Sequence, residues 1–286
     1  MKKISFLLFF ALSISCANKE IAIPEGYASG SEFCTASGGN SLQLLLTENA
    51  IPEEVLRFPI QIIWISNQKD FQINTVKKNL NSTIHNLNTT LNTSHIAFNF
   101  SPEIKVVYDK KLTLEKLYRN DLAEYCISKY GSNEKINLFI IESEGILNGY
   151  TPVLTERFDR YKNKKGYNSV FIGNKAVFNK TTLAHEIGHF FGLQHTFGKE
   201  VTPFSTDEIP TGTNCFSSGD WLCDTPADPN MPIKSCNQNL EKSNFKPLFN
   251  NYMSYYPNVC KNAFTKEQSI IMHRFAYTYR NHLIQK

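Results

Sequence analysis

Apolar residues fall into two rhythms along this 286-residue chain. Phe58 to Ile65 runs or alternates apolar, which predicts a first core strand. Between Asp70 and Leu91, Phe71, Val76, Leu80, Ile84 and Leu87 return at near-helical spacing, so an amphipathic helix is expected there. The same reading gives strands at Ile96 to Phe100 and Lys105 to Tyr108, a helix over Leu112 to Lys129, and a strongly apolar strand at Ile136 to Ile141. Ile146 to Leu154 and Ser169 to Ile172 supply short strands. The first of these is expected at the sheet edge over a cleft, where an extended peptide can add as a further strand. The charged run at 157–166 reads as a solvated loop. Beyond 193 periodicity is lost until Ile271, Phe275, Tyr279 and Leu283 mark a closing amphipathic helix. The pattern predicts an α+β fold: a twisted mixed sheet with a backing helix and a second helix above, then an irregular half ending in a helix. No internal repeat is visible.

The second helix is the stretch TTLAHEIGHFFGLQH, Thr181 to His195. His185 and His189 are four residues apart, so their imidazoles share a helix face and can reach one ion. Glu186 sits on the flank, where its carboxylate can take a proton from water at the ion's open position without being a ligand. Thr181 or Thr182 is expected to cap the helix, and Leu183, Ile187 and Phe190 to bury its far side. Gly192 allows the positive backbone angle of an abrupt turn that returns His195 beneath the first two histidines. Three neutral nitrogens and an open position make a catalytic zinc site. Three incidental histidines in a core helix are the poorer reading, because each ring would need its own buried partner.

These residues resemble the metzincin pattern HExxHxxGxxH with a later Met-turn, and within it the pappalysin branch of secreted endopeptidases. The resemblance is carried by FPIQIIW at 58–64, TLAHEIGHFFGLQHTFG at 182–198, GDWLCDTP at 219–226, NYMSYY at 251–256 and CKNAFTKEQ at 260–268. It implies an α/β/α-like metzincin catalytic domain over 55–286, with an upper lobe at 55–192, a lower lobe at 193–286 and a substrate cleft between. It implies zinc-dependent endopeptidase activity on extracellular or cell-envelope proteins, with His185, His189 and His195 as ligands and Glu186 as general base. Met253 matches the apolar methionine floor under the metal, and Tyr255 the tyrosine that can ligate the ion or steady an oxyanion. Asp220 and Asp224 offer hard oxygen donors for calcium, which the resemblance implies in the lower lobe. Ser254 stands where the family often has Asp. Val259 stands where arginine-cleaving relatives carry an acid, so a weaker arginine preference is expected. A protein-binding module with a structural zinc and no turnover is the alternative, though a pure binder has no need of Glu186.

Composition adds the cellular setting. The net charge of +4, with no basic cluster interleaved with aromatics, argues against a nucleic-acid partner. Residues 1–15 have a basic start and an apolar run too short to span a bilayer, as in a signal peptide. The run ends at Cys16 in a loose bacterial lipoprotein box. Lipid on Cys16 would anchor the protein to the cell envelope; cleavage just beyond would release it. Residues 16–54 read as tether and pro-segment. Six cysteines remain, at 34, 126, 215, 223, 236 and 260, enough for three disulfides of unreadable pairing. Cys34 either pairs with Cys126 or lends its thiolate to the zinc in a latent precursor.

Overall fold

The computed structural model describes Leu46, residues 50–151 apart from 121, 122 and 146, then 168–198, 203, 206–238, 240 and 244–285. The expected signal peptide, Cys16, Cys34 and the charged run at 157–166 lie outside the described residues.

In chain order the elements are β1 (Leu56–Ser66), α1 (Asn74–Leu91), β2 (Ile96–Tyr108), α2 (Leu114–Asn120), α3 (Ala123–Tyr130), β3 (Ile136–Ile141), β4 (Gly149–Tyr150), β5 (Ser169–Gly173), α4 (Lys180–Phe190) and α5 (Lys266–Tyr279). The five strands form one sheet in the order β2-β1-β3-β5-β4, parallel throughout except for the antiparallel edge β4. Parallel strands need covering on both faces, and the apolar runs of β1, β3 and β5 are correspondingly buried. Alternate residues divide between two clusters. Phe58, Ile60, Ile62 and Trp64 of β1 pack with Leu80, Ile84 and Leu87 of α1 and Leu183 and Ile187 of α4. Ile63 and Ile65 face Leu114, Leu117, Cys126 and Ile127 of α2 and α3.

Several expectations shift in detail. The two strands predicted around Pro102 are one strand, β2, whose pairing with β1 slips register between Ile60 and Ile62. Proline has no N–H for the ladder, and an edge strand can absorb it with a local irregularity. The helix predicted over Leu112 to Lys129 is two, α2 and α3. Of the strand expected over Ile146 to Leu154, Gly149–Tyr150 pairs with Ile172 and Phe171, while 146 and 152–154 lie outside the described residues.

The first core cluster does not stop at the sheet. Trp221, Leu222, Tyr252 and Met253 of the irregular half join it, as do Ile271, Met272 and Ala276 of α5. A capping box of Thr265 and Gln268 starts α5. The helix also gathers in the beginning of the described chain. His273 Nε2 lies 3.0 Å from Glu54 O, Arg274 Nη2 donates to Ala50 O at 3.3 Å, and His95 Nδ1 lies 2.6 Å from Pro52 O. Leu46 also packs against the first core cluster, so among the described residues packed structure is already present inside the stretch read from sequence as tether. No helix among the described residues is long and apolar enough to cross a membrane.

Candidate active site

Helix α4 begins on a cap supplied one turn-position earlier than expected. Asn179 Oδ1, not a threonine, accepts from Thr181 N at 3.1 Å and from Thr181 Oγ1 at 2.7 Å. Asparagine is as strong a cap as threonine, and its extended backbone at this point leaves Thr181 inside the helix as a donor. Leu183, Ile187 and Phe190 are fully buried, as the apolar spacing requires. At the other end Gly192 N donates to His189 O at 3.0 Å and Leu193 N to Gly188 O at 2.9 Å. That pair of bonds closes the helix around a left-handed residue, and Gly192 has φ +91°. The chain reverses there and delivers His195 to the same point as His185 and His189.

The three Nε2 atoms converge: His189 Nε2 is 3.1 Å from His185 Nε2 and 3.0 Å from His195 Nε2. Behind them, His185 Nδ1 lies 2.7 Å from Tyr252 O and His189 Nδ1 2.8 Å from Leu193 O. A carbonyl can only accept, so both Nδ1 atoms carry the proton and both Nε2 lone pairs point inward. Facing lone pairs cannot bond each other and need a cation between them. Nitrogens ~2.0–2.1 Å from a tetrahedral zinc would sit ~3.3 Å apart, close to what is seen. Burial, with the neighbouring rings, holds His185 and His195 well below the usual histidine value and takes His189 down to about 4. All three are thus neutral ligands at pH 7. Among the described residues, these three form the group of His, Cys, Asp or Glu placed to hold a metal ion.

Glu186 is buried beside this triad, and burial pushes its carboxyl up to about 7 despite a stabilising hydrogen bond from Thr151. Met253 is fully buried under α4, so close that a Cβ on Gly188 would overlap its sulfur. Its neighbour Tyr252 supplies the carbonyl that accepts from His185 Nδ1, so residues 252 and 253 pack under α4 and hold that ring. The Tyr255 ring centroid lies 4.6 Å from that of His195 and 5.9 Å from that of His185, and the residue is 51% exposed.

Val259 is 88% exposed and stands out from the surface. Two residues on, Lys261 is buried; burial takes its ammonium down to about 8 while Asp228 pulls it up, and its charge is felt by His185 and His195. Asp228, absent from the sequence reading, accepts from Tyr256 OH at 2.6 Å and from Thr196 Oγ1. It therefore ties the residue after the third histidine to the residue after Tyr255. No local spacing could have shown this, since its partners are 28 and 32 positions away.

In the lower half, Asp220 is buried, with Oδ1 accepting from Leu222 N at 3.1 Å. Asp224 Oδ2 accepts from Glu267 N at 2.8 Å, while Glu267 Oε2 accepts from Cys223 N at 2.7 Å, so this pair stitches the GDWLCDTP loop to the start of α5. The unforeseen member is Glu208, 2% exposed, with neither carboxylate oxygen hydrogen-bonded. It packs against Gly219, next to Asp220. Burial, with the charges of Asp207 and Asp228, raises Glu208 to about 7; burial, with the charge of Glu208, holds Asp220 well above the usual range. Disulfides Cys215–Cys223 and Cys236–Cys260 cross-link this half. Among the described residues Cys126 on α3 is a buried thiol outside the two disulfides, and Cys34, its candidate partner, lies outside the described residues. The surroundings of Cys126 in the second core cluster are apolar, and burial pushes its thiol up to about 12.

The model of the peptidase M43 family, described as pregnancy-associated plasma protein-A, matches residues 129–276, more than half of the chain. The chain belongs to the peptidase M43 family. The match contains the histidine triad, Glu186, Met253 and most of α5. Similar proteins include an extracellular metalloprotease of Sordaria macrospora, 28% identical over 56% of this chain and 55% of that protein. Another, from Colletotrichum graminicola, is 33% identical over 35% of this chain and 31% of its own length. Human pappalysin-1 is 35% identical over 32% of this chain and 6% of its length. The chain thus spans about a third to just over half of the fungal relatives it matches. A promirolysin mutant from Tannerella forsythia shares the fold, with a TM-score of 0.60 at 18% identity, over 86% of this chain and 88% of that one.

Proposed function

We propose that this protein is an exported zinc endopeptidase that hydrolyses peptide bonds in extracellular or cell-envelope proteins, its catalytic domain running to residue 286 with the cleft between lobes that meet at Gly192. The observation carrying this reading is the convergence of three Nε2 atoms, those of His185 and His189 with lone pairs facing inward, beside a buried carboxylate. Zinc held by His185, His189 and His195 would polarise the scissile carbonyl and make water acidic enough to attack near neutral pH. Glu186 takes the proton from the attacking water on its carboxylate and passes it to the departing amine nitrogen. Its raised carboxyl suits both halves of that transfer. Tyr255, beside the triad, steadies the oxygen that gains negative charge. Met253 and Tyr252 hold the ligand geometry from below, and a peptide lies along the open edge of β4.

The Lys261 ammonium is already in the vicinity of the triad, so a cationic substrate side chain meets repulsion there; this supports the expectation of weak arginine preference drawn from Val259. A structural calcium is supported by the unbonded, buried Glu208 carboxylate, which raises Asp220 and is itself raised by Asp207 and Asp228, a crowding of acids that a divalent cation would relieve. Asp224, with one oxygen committed to α5, would be a lesser donor. Export is supported by the two disulfides and by the extracellular relatives; the lipid anchor at Cys16 rests on the sequence of residues 1–20.

The deciding experiment is product sequencing after incubation of zinc-saturated protein with a peptide library, with and without chelator, alongside Glu186→Gln. We expect cleavage to stop with chelator, and to fall by ~100-fold or more in Glu186→Gln, which keeps its zinc. Hydrolysis by that variant at the wild-type rate would remove Glu186 from the mechanism. A cleavage profile dominated by arginine would overturn the specificity reading.

A further inference from the structure

The edge strand does more than offer a pairing surface. Its next residue, Thr151, directs its hydroxyl at the carboxylate beside the histidines: Thr151 Oγ1 lies 2.8 Å from Glu186 Oε2 and 3.1 Å from Glu186 O. Residues two apart on a strand share a face, so Gly149 presents the same side to Glu186. There the strand passes so close that a Cβ would overlap Glu186 Oε1 and stand 2.6 Å from its Cδ. One position of the strand is thus left without a side chain to admit the carboxyl group, and the position two further on supplies a donor to hold it.

We infer that Thr151 is a positioning residue for Glu186, an assignment that rests on the endopeptidase reading above. A glutamate side chain has three soft torsions, and proton transfer needs its oxygen placed to within a fraction of an ångström. The Thr151 hydroxyl removes that freedom by bonding Oε2, which leaves Oε1 for water. The same hydroxyl has a second acceptor within reach, the Glu186 main-chain oxygen. It can serve the charged carboxylate, then re-aim at the carbonyl once the carboxyl has taken up a proton. Because β4 is also where a peptide would pair, the strand that receives substrate is the strand that fixes the base.

The test compares Thr151→Val, which keeps the shape and deletes the hydroxyl, with Thr151→Ser, which keeps the hydroxyl and deletes the methyl. For each zinc-saturated protein, kcat and KM are measured on one library-derived peptide, together with zinc content and Tm. We expect Thr151→Val to lose about 10- to 100-fold in kcat with KM within about twofold of wild type. Thr151→Ser should stay within about threefold in kcat, and both should hold zinc at wild-type stoichiometry. Wild-type kcat in Thr151→Val would overturn the assignment. So would an equal loss in Thr151→Ser, which would point to packing of the methyl, or loss of zinc or a large fall in Tm in Thr151→Val. A wild-type protein that cleaves nothing when zinc-saturated would instead sink the endopeptidase reading, and this assignment with it.

Discussion

Glu115 on α2 is a buried carboxylate that accepts from Ser143 Oγ at 2.8 Å, Glu144 N at 3.0 Å and Leu147 N at 3.2 Å. It anchors the loop that leads into β4, so its hold bears on where Gly149 and Thr151 meet Glu186. Burial pushes this carboxyl up, but the donors outweigh it and bring it down to about 2 from the ordinary 4.5. A lowered folded value means that the unfolded chain binds the proton more readily. The stabilisation is therefore complete above about pH 4.5 and is lost as pH falls towards about 2. Glu115→Gln should cost on the order of 1–3 kcal/mol at pH 6, and its difference from wild type should shrink across that acid window in urea unfolding. A difference independent of pH would show that the donors do not depend on the charge. At this scale the zinc ligands and Glu186 are legible in sequence because a helix and one glycine turn bring them together within eleven positions. Thr151, Asp228, Glu208 and Glu115 are not legible. The bonds of Thr151, Asp228 and Glu115 join points 28 to 35 residues apart, Glu208 makes none through its carboxylate, and single threonines and acids carry no spacing signal.

The elements divide along the same line. β1, β3 and β5 and the helices α1 and α5 follow from apolar periodicity, since each buries a continuous stripe or both faces. The break between α2 and α3 and the two-residue β4 do not, because amphipathic spacing runs through the first and tertiary pairing alone defines the second. The α4 turn shows how tightly elements lock together: a Cβ on Gly192 would sit 2.5 Å from Phe275 Cδ2 of α5, at a backbone angle of +91°. Gly192→Ala therefore combines a strained angle with a steric overlap, together about 2–4 kcal/mol. We expect Tm to fall on the order of 5–10 °C, with weaker zinc retention as His195 is displaced. An unchanged Tm would mean that α5 gives way without cost. Arg280 reinforces the same contact, lying 4.2 Å over the Phe190 ring and donating to Phe190 O at 3.4 Å, where α4 ends.

Across the molecule, the irregular half lacks periodicity because cross-links and polar bonds replace a second large core. The 24-residue separation of Cys236 and Cys260 alone is worth about 3 kcal/mol of loop closure. The unbonded Glu208 marks the remaining weak point, and calcium should strengthen it. In differential scanning of the zinc-saturated protein, millimolar calcium is expected to raise Tm by several degrees, and Glu208→Gln should abolish the rise. A wild-type protein indifferent to calcium would leave Glu208 and Asp220 as an uncompensated strain.

The clasp of Ala50, Pro52 and Glu54 by Arg274, His95 and His273 sets a limit on trimming of the polypeptide. Shortening from the amino end past Ala50 would strip carbonyl acceptors from the closing helix that carries Phe275. A form trimmed ahead of Ala50 would keep that clasp, whereas removal of residues 50–54 should lower Tm by freeing the closing helix from its partners.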